Sequence, residues 1–357
     1  MQPRTGTLAR VTVGSQALNP RRKTSARLLE LARKAVALLG RLRLRRAPPA
    51  PGRFALSRKS SLHGFISVSP APPWRDYLLY LPQSAERTGA RPSLVVWIHG
   101  CRQDPEQFAA GTRIARIADE QGFLVLLPRQ SRLANSERCW NWFDPRTATG
   151  GGEAAIVAAQ TEEVIGKFGV DRRHVYVAGL SSGGALAATL ALRAPHLFSA
   201  VAVHSSVAAG AASDAAYASR VMREGPNGVT DTLAARARAA APPALELPAL
   251  VIHGSADDAV APVNAVFLVR QFLLLNGLPL AELPQGAALP PAQLRSMQPR
   301  ASGHLASDYY VRGRLAARLL TIAGLGHAWS GGDPAYPHCD ARGVDATRLV
   351  CDFFASR

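Results

Sequence analysis

The feature that most constrains the fold is a G-x-S-x-G pentapeptide, Gly179 to Gly183, with Ser181 at its centre. A short apolar stretch, Val175 to Ala178, precedes it, and a run of small helix formers, Ala185 to Arg193, follows it. This order predicts a strand, a sharp turn and a helix that together expose a nucleophilic serine. The flanking glycines give the strained turn the space it needs, and the helix amides point towards a developing oxyanion.

Two downstream residues complete the order nucleophile, acid, histidine. The acid is Asp257, which follows the apolar segment Ala249 to Ile252, and Asp258 is its rival. The histidine is His327, which follows the apolar segment Leu319 to Ile322. The chemistry needs a hydroxyl to attack, an imidazole to take its proton, and a carboxylate to fix the imidazole tautomer.

Three other histidines, His99, His204 and His253, lie beside glycine or in apolar runs. A histidine in such a place is more often a structural hydrogen-bonding group than a base. We therefore assign these three to structural roles.

The backbone donors of an oxyanion hole are expected from two loops. The apolar run Leu94 to Ile98 is typical of a buried strand, and it leads into His99 to Gln103. The amides of Cys101 and Ser182 would hold the oxyanion. The alternative reading of the first loop is a tight glycine-containing turn without a catalytic role.

Taken together, these residues resemble the polyhydroxybutyrate depolymerase and feruloyl or acetylxylan esterase group of α/β-hydrolases. The resemblance runs from about Trp74 to Phe354 and implies a nucleophile at Ser181, an acid at Asp257 and a base at His327. It also implies that Cys101 lies near the oxyanion hole. The matching segments are His99 to Gln103, Cys139 to Phe143, Val170 to Gly184, His253 to Asp257 and Gly326 to Gly332.

Apolar strands alternate with Ala- and Leu-rich segments along most of the chain. This alternation predicts an α/β fold, with a mainly parallel central sheet and helices on both faces, as in the α/β-hydrolases. The predicted strands are Tyr77 to Leu81, Leu94 to Ile98, Phe123 to Leu127, His174 to Val177, Ser199 to Val203, Leu250 to His253 and Leu319 to Ile322.

The net charge of +17 is unevenly distributed. Residues 1–60 contain fifteen Lys and Arg and a single acidic residue, Glu30, whereas residues 61–357 contain 27 basic and 24 acidic residues. We therefore divide the chain into a basic N-terminal extension, 1–60, and a catalytic domain, 61–357.

Within the extension, Ser25 to Leu44 alternates Leu and Ala with Arg and Lys at helical spacing, and the Pro-rich segment Ala47 to Gly52 follows as a linker. A basic amphipathic helix can lie on an anionic membrane or a lipid-coated granule, and we expect such a surface as its partner. We expect no specific nucleic acid binding. A poorly ordered arm is an equally good interpretation.

The N-terminal extension bears on the compartment of the protein. Glu30, Arg33 and Lys34 interrupt the apolar residues of the extension, which leaves no continuous segment typical of a secretory signal. We therefore expect a cytoplasmic protein associated with granules, with the extracellular location of secreted family members as the alternative. The four cysteines fit either two local disulfides, Cys101 with Cys139 and Cys339 with Cys351, or free thiols.

Three tryptophans, Trp140, Trp142 and Trp329, lie in the motif loops and are candidates for lining the acyl or alcohol pocket. Structural wedging beneath loops is the competing interpretation. The segment Gly277 to Ser307, rich in Pro, Leu, Ala and Gln, fits either a lid or a surface excursion.

These features predict a serine esterase that forms an acyl-enzyme. By resemblance, its substrate is a short-chain polyhydroxyalkanoate or its oligomers. The alternatives are a feruloyl or acetylxylan esterase, or a granule- or membrane-associated binding protein without catalysis. No zinc-binding spacing and no H-E-x-x-H motif is present, and a hydrolase triad needs no cofactor, so we expect neither a metal nor a cofactor.

Overall fold

A computed structural model describes residues 52–58, 75–83, 91–242, 245–295 and 303–357. Its main feature is a sheet in which ten described strands pair in the order β1-β2-β4-β3-β5-β6-β7-β10-β9-β8. The strands are β1 (Arg53–Arg58), β2 (Asp76–Leu81), β3 (Leu94–Ile98), β4 (Leu124–Pro128), β5 (Val175–Leu180), β6 (Ala200–His204), β7 (Ala249–Gly254), β8 (Gln293–Arg295), β9 (His304–Val311) and β10 (Arg314–Ile322).

The centre of this sheet is parallel and its two edges are antiparallel. Strands β4, β3, β5, β6, β7 and β10 run in the same direction, while β1 and β2 at one edge and β8 and β9 at the other run antiparallel to their neighbours. A separate two-stranded ladder joins β11 (Trp329–Ser330) and β12 (Cys339–Asp340). The mainly parallel α/β-hydrolase sheet predicted from the sequence is confirmed.

Helices cover both faces of the sheet, because neighbouring residues of a strand point to opposite sides. In β3, Leu94 and Val96 pack in one apolar core, whereas Val95 and Trp97 pack in the other. The helices are α1 (Pro105–Thr112), α2 (Ile114–Gln121), α3 (Pro145–Ala148), α4 (Gly152–Phe168), α5 (Ser182–Arg193), α6 (Ala215–Glu224), α7 (Val229–Ala240), α8 (Val263–Leu275) and α9 (Ala346–Ala355), with short 3-10 turns at Pro195–Leu197 and Leu280–Glu282.

The two cores draw on different helices. The first contains residues of α4, α5, α7 and α8, and the second contains residues of α1, α2 and α9. Every residue of β3, β4, β5, β6 and β7 is buried, so these strands are mostly continuous apolar runs rather than alternating ones, with His204 and His253 near the carboxyl ends of β6 and β7 as buried polar residues. No helix in the described part of the chain is long and apolar enough to cross a membrane.

All seven predicted strands are present, with ends shifted by up to a few residues. Five of the described strands were not predicted: β1, β8 and β9 in the large sheet, and β11 and β12 in the separate ladder. Strand β9 begins inside the segment Gly277 to Ser307, and β8 lies wholly within it, so part of this segment is the edge of the sheet.

A buried arginine anchors the beginning of that same segment. Arg270 of α8 forms an ion pair with Asp231 of α7, with Nη2 2.6 Å from Oδ2. Its Nη1 donates to the carbonyl oxygens of Pro284 and Ala288, each at 2.7 Å. Residues 284–288 are therefore fastened to the helices rather than free to act as a lid.

The compact unit begins about ten residues before the boundary predicted between extension and catalytic domain. Residues Pro49 to Arg357 form one compact unit, and β1 pairs along its whole length with β2, from Arg53 opposite Leu81 to Arg58 opposite Asp76. The amphipathic helix predicted over Ser25 to Leu44 lies outside the described residues.

Candidate active site

Ser181 lies in the turn between β5 and α5, with a backbone φ of 54° and ψ of −122°. The turn is possible because the glycines around it lie against other backbone atoms. A Cβ on Gly183 would overlap the carbonyl oxygens of Ile98 and His99, and a Cβ on Gly179 would overlap the backbone of Gly183. The G-x-S-x-G pattern is thus a packing requirement of this turn.

The structure brings Ser181, Asp257 and His327 together in one hydrogen-bonded chain. Nε2 of His327 lies 2.9 Å from the Ser181 Oγ, and Nδ1 lies 2.9 Å and 3.0 Å from the two carboxylate oxygens of Asp257. Because an ionised carboxylate only accepts hydrogen bonds, Nδ1 carries the proton and Nε2 is free to accept one from the serine.

Asp257 is held as an anion by several donors. Its Oδ1 accepts hydrogen bonds from the amides of Ala259 at 3.1 Å and Val260 at 2.8 Å. Burial raises the pKa of this carboxyl, but the hydrogen bonds from His327 and Val260 more than offset that effect, so its pKa lies below the ordinary value. The rival acid, Asp258, is exposed.

The loop that carries the acid and the loop that carries the histidine are joined by backbone contacts. The amide of Ser255 donates to Ile322 O at 2.9 Å, and the amide of Ala256 donates to Leu325 O at 3.0 Å. The Ser255 hydroxyl in turn accepts from the amide of Gly324 at 2.9 Å. These bonds fix the position of His327 relative to Asp257.

The two predicted oxyanion donors lie next to the nucleophile. Ser182 is the first residue of α5, where helix geometry leaves the amide without an intrahelical acceptor and the macrodipole favours negative charge. Cys101 follows the carboxyl end of β3, and a Cβ on the preceding Gly100 would lie 3.5 Å from the Cβ of Ser181. Both residues thus lie beside Ser181, as an oxyanion hole requires.

One of the two disulfides considered is present. Cys101 is bonded to Cys139, with their Cα atoms 4.2 Å apart, and the Cys101 sulfur lies 3.4 Å from the Ser182 hydroxyl oxygen. Cys339, in β12, and Cys351, buried in α9, are free thiols. Burial raises the pKa of Cys339 to about 11, so this thiol is protonated at neutral pH.

The expectation that three tryptophans line the substrate pocket needs correction, since all three are buried. Trp329 is 1% exposed, stacks with His204 and donates its indole N–H to Thr347. Trp140 is 0% exposed and donates its indole N–H to His99 O at 3.0 Å. Trp142 packs beneath a loop in a small apolar cluster. The structural-wedge interpretation fits them better.

The three histidines assigned to structural roles are all buried around the triad. His204 accepts the amide of Ser330 on Nε2 at 3.3 Å, and burial, with the neighbouring His253 and His327, lowers its pKa to about 3. His253 lies with Nε2 2.8 Å from Val260 O and 3.4 Å from the Asp257 Oδ2. Burial lowers the pKa of His253 as well.

Sequence reasoning overlooked His338. Its ring lies edge-on to that of His327, with the centroids 6.0 Å apart, and its backbone has a left-handed φ of 53°. Burial and the nearby His327 lower its pKa. No motif marked this residue, since its position follows from a turn between β11 and β12.

The arrangement is suited to acyl transfer. A serine hydroxyl faces the Nε2 of an imidazole, a carboxylate holds that imidazole through Nδ1, and two backbone amides belong to residues beside the serine. No group of His, Cys, Asp and Glu able to hold a metal ion occurs among the residues described.

Comparison with known proteins agrees with this geometry. The family model described as "Esterase PHB depolymerase" matches residues 75–287. Feruloyl esterase B of Neurospora crassa is 34% identical over 140 residues, which is 38% of this chain and 46% of that protein. Poly(3-hydroxyalkanoate) depolymerase C of Paucimonas lemoignei is 30% identical over 195 residues, which is 53% of this chain and 46% of that protein.

The chain thus spans about half the length of these curated relatives. Among solved structures, the acetyl xylan esterase from Aspergillus awamori superimposes with a TM-score of 0.63 and 20% identity. The alignment covers 85% of this chain and all of that one. At this identity the likeness establishes the fold.

Neighbouring aspartates allow a direct test of the acid. Asp257→Asn should lower kcat for p-nitrophenyl acetate by about 10⁴-fold, because an amide no longer selects the His327 tautomer that accepts the serine proton. The matched variant Asp258→Asn changes an exposed side chain one residue away and should stay within about threefold of the wild type. Steady-state kinetics on both proteins would reject the assignment if Asp258→Asn were the more damaged of the two.

Proposed function

The chain belongs to the esterase PHB depolymerase family, and we propose that it hydrolyses carboxylic esters through an acyl-enzyme on Ser181. The observation that carries this proposal is the hydrogen-bonded chain from the Ser181 Oγ through His327 to Asp257. The family and the fold provide independent support.

The geometry gives each group a role. As the Ser181 oxygen bonds to the ester carbonyl carbon, His327 Nε2 takes the hydroxyl proton, and Asp257 stabilises the resulting imidazolium. The carbonyl oxygen becomes an oxyanion, which the amides of Cys101 and Ser182 bind. Collapse of this intermediate breaks the bond to the alcohol, which leaves with the proton from His327.

Deacylation repeats these steps with water. His327 removes a proton from a water molecule that attacks the acyl carbon, the oxyanion forms again, and the bond to Ser181 breaks. The serine recovers its proton from His327, and the free acid is released. Apart from the leaving alcohol and the water, only Ser181 and His327 change protonation state, while Asp257 stays ionised and the two amides donate hydrogen bonds throughout.

For the substrate, we propose a short-chain polyhydroxyalkanoate or its oligomers. The family description and the similarity to the Paucimonas lemoignei depolymerase support this choice. The second candidate is an ester of ferulic or acetic acid on a polysaccharide, which the Neurospora crassa feruloyl esterase and the acetylxylan esterase of Emericella nidulans favour, the latter at 31% identity over 136 residues.

One assay distinguishes the two candidate substrate classes. Amorphous poly(3-hydroxybutyrate) granules should be cleared by the wild type and not by Ser181→Ala, whose rate should be lower by several orders of magnitude, about 10⁶-fold in comparable serine hydrolases. Turbidity follows the clearing, and p-nitrophenyl butyrate reports general ester hydrolysis.

Butyrate ester turnover without clearing would contradict the polyester substrate. Methyl ferulate and acetylated xylan would then be the next substrates to try. Clearing by Ser181→Ala at the wild-type rate would contradict the nucleophile.

We further propose that the basic N-terminal extension attaches the protein to an anionic lipid surface. Residues 1–48 carry twelve Lys and Arg against the single acid Glu30, so electrostatic attraction to acidic lipids supports this proposal.

Deleting residues 1–48 keeps β1 and should weaken sedimentation with phosphatidylserine vesicles by more than about tenfold. Turnover of soluble esters should be unchanged, which serves as the control for folding. Equal binding of the full and shortened chains, or equal binding to neutral phosphatidylcholine vesicles, would refute the attachment.

We propose that the protein resides in an oxidising compartment, which corresponds to the extracellular location given above as the alternative. The Cys101–Cys139 disulfide supports this choice, since such bonds persist where thiols are not kept reduced. Its sequence separation of 38 residues corresponds to about 4 kcal/mol of stabilisation through the unfolded state.

Alkylation of protein taken directly from its source cells tests the compartment. Cys101 and Cys139 should be modified only after reduction and denaturation, whereas Cys339 and Cys351 should react after denaturation alone, as an internal control. Modification of all four cysteines without a reductant would place the protein in a reducing compartment.

A further inference from the structure

The peptide unit between Gly100 and Cys101 supplies the amide assigned to the oxyanion hole, and its carbonyl is held by a neighbouring side chain. The ring nitrogen Nδ1 of His99 lies 2.7 Å from Gly100 O. A trans peptide is planar, with its C=O and N–H pointing in opposite directions. The bond that fixes the direction of Gly100 O therefore also fixes the direction of the Cys101 N–H.

The tautomer of His99 is determined by its two partners. Gly100 O can only accept a hydrogen bond, so Nδ1 must carry the proton. The amide of Gln130 can only donate one, so Nε2, which lies 3.2 Å from it, must be unprotonated. Both contacts require the same neutral ring. The ring is 1% exposed, and burial lowers the pKa of His99 to about 4, so it remains in this state at neutral pH.

The peptide units on either side are fixed as well. The carbonyl of His99 accepts the Trp140 indole N–H at 3.0 Å, and the amide of Gly100 donates to the Gln103 Oε1 at 2.8 Å. The amide of Arg102 donates to Glu137 O at 2.6 Å. Within the described ranges, the Cys101 N–H has no acceptor, so it is the donor left for a substrate oxygen.

We propose that His99 is a positioning residue for the oxyanion hole. It donates to Gly100 O and so aims the Cys101 amide at the oxyanion without touching the substrate itself. This inference rests on the proposed ester hydrolysis by Ser181. If His99 had a purely structural role, kcat would fall together with the stability of the fold. In the proposed role, kcat depends instead on whether an N–H donor is present at the Nδ1 position.

Two polar variants of the same side chain separate these roles. Asparagine places its amide N–H close to the position of Nδ1, whereas glutamine places its amide close to Nε2. His99→Asn should keep kcat for p-nitrophenyl acetate within about threefold, and His99→Gln should lower it by about 10- to 100-fold with little change in KM, because loss of one oxyanion donor costs 10²- to 10³-fold.

His204→Gln is the matched control, because His204 is an equally buried neutral histidine that contacts Ser330 and Trp329 instead of the oxyanion loop. Its Tm should fall about as much as that of His99→Gln while its kcat stays within about threefold. Affinity for a boronic acid, which mimics the tetrahedral intermediate, should fall in His99→Gln in parallel with kcat. All proteins are used with the Cys101–Cys139 bond intact.

Equal kcat values for His99→Asn and His99→Gln would overturn the inference, as would a loss in His204→Gln that matches the loss in His99→Gln. If His99→Gln does not fold, His99→Asn decides alone: near-normal kcat at a lowered Tm supports the inference, and a loss above tenfold overturns it. A wild type inactive on every ester would instead refute the proposed function, so the two failures are distinct.

Discussion

The close approach of α5 to the carboxyl end of β3 is the contact on which the site depends. Gly183 lies directly against the carbonyl oxygens of Ile98 and His99, where a Cβ would overlap both. Because this is a contact of backbone with backbone, it brings Ser181 and the Gly100–Cys101 peptide together with no side chain between them. Backbone packing thus sets the distance between Ser181 and the Cys101 amide, independently of the polar contacts that either group forms.

The parallel sheet does the same for the acid and the base. In the register of β7 with β10, Gly254 lies opposite Ile322, so the two loops that follow leave the sheet at the same level. Carboxyl ends of parallel strands share one edge, and residues 70 positions apart in the chain therefore meet. The hydrogen bonds between these two loops then only refine the positions of Asp257 and His327.

The sequence predicted those parts of the protein that local patterns determine. Fully buried strands such as Leu94–Ile98 are continuous apolar runs, and the order of Ser181, Asp257 and His327 follows from the placement of loops after such strands. Strand β9 was missed because its residues His304–Val311 mix polar and apolar side chains in no regular alternation, although Ala306 to Tyr309 are all buried. Strand β1 was missed because Arg53 and Arg58 made it look like the end of the basic extension.

The residues that position and surround the site could not be predicted in the same way. His99 was the first residue of a recognised motif segment, but its function depends on the orientation of a single peptide plane, which no residue pattern encodes. The tryptophans show the opposite case. Their position in motif loops suggested contact with substrate, while the direction of an indole into the core depends on partners elsewhere in the chain, such as the carbonyl of His99, 41 residues from Trp140.

A buried hydrogen-bond network connects His99, through Gln130, to the loop that contains Cys139. Gln130 connects two parts of it, since its backbone amide donates to His99 while its side-chain amide donates to Glu153 and to Cys139 O. Glu153 also accepts from the backbone and side-chain amides of Asn141. Burial raises the pKa of Glu153, and these N–H donors offset part of that effect by favouring the anion.

A buried carboxylate with such partners is costly to rearrange, because any displaced N–H would lose its acceptor in a place without water. The loop of Cys139 and the turn of Cys101 are therefore linked twice, covalently through the disulfide and by hydrogen bonds through Gln130 and His99. The covalent link limits how far the two loops can separate. The hydrogen bonds determine the direction of the peptide, and it is direction that an oxyanion donor requires.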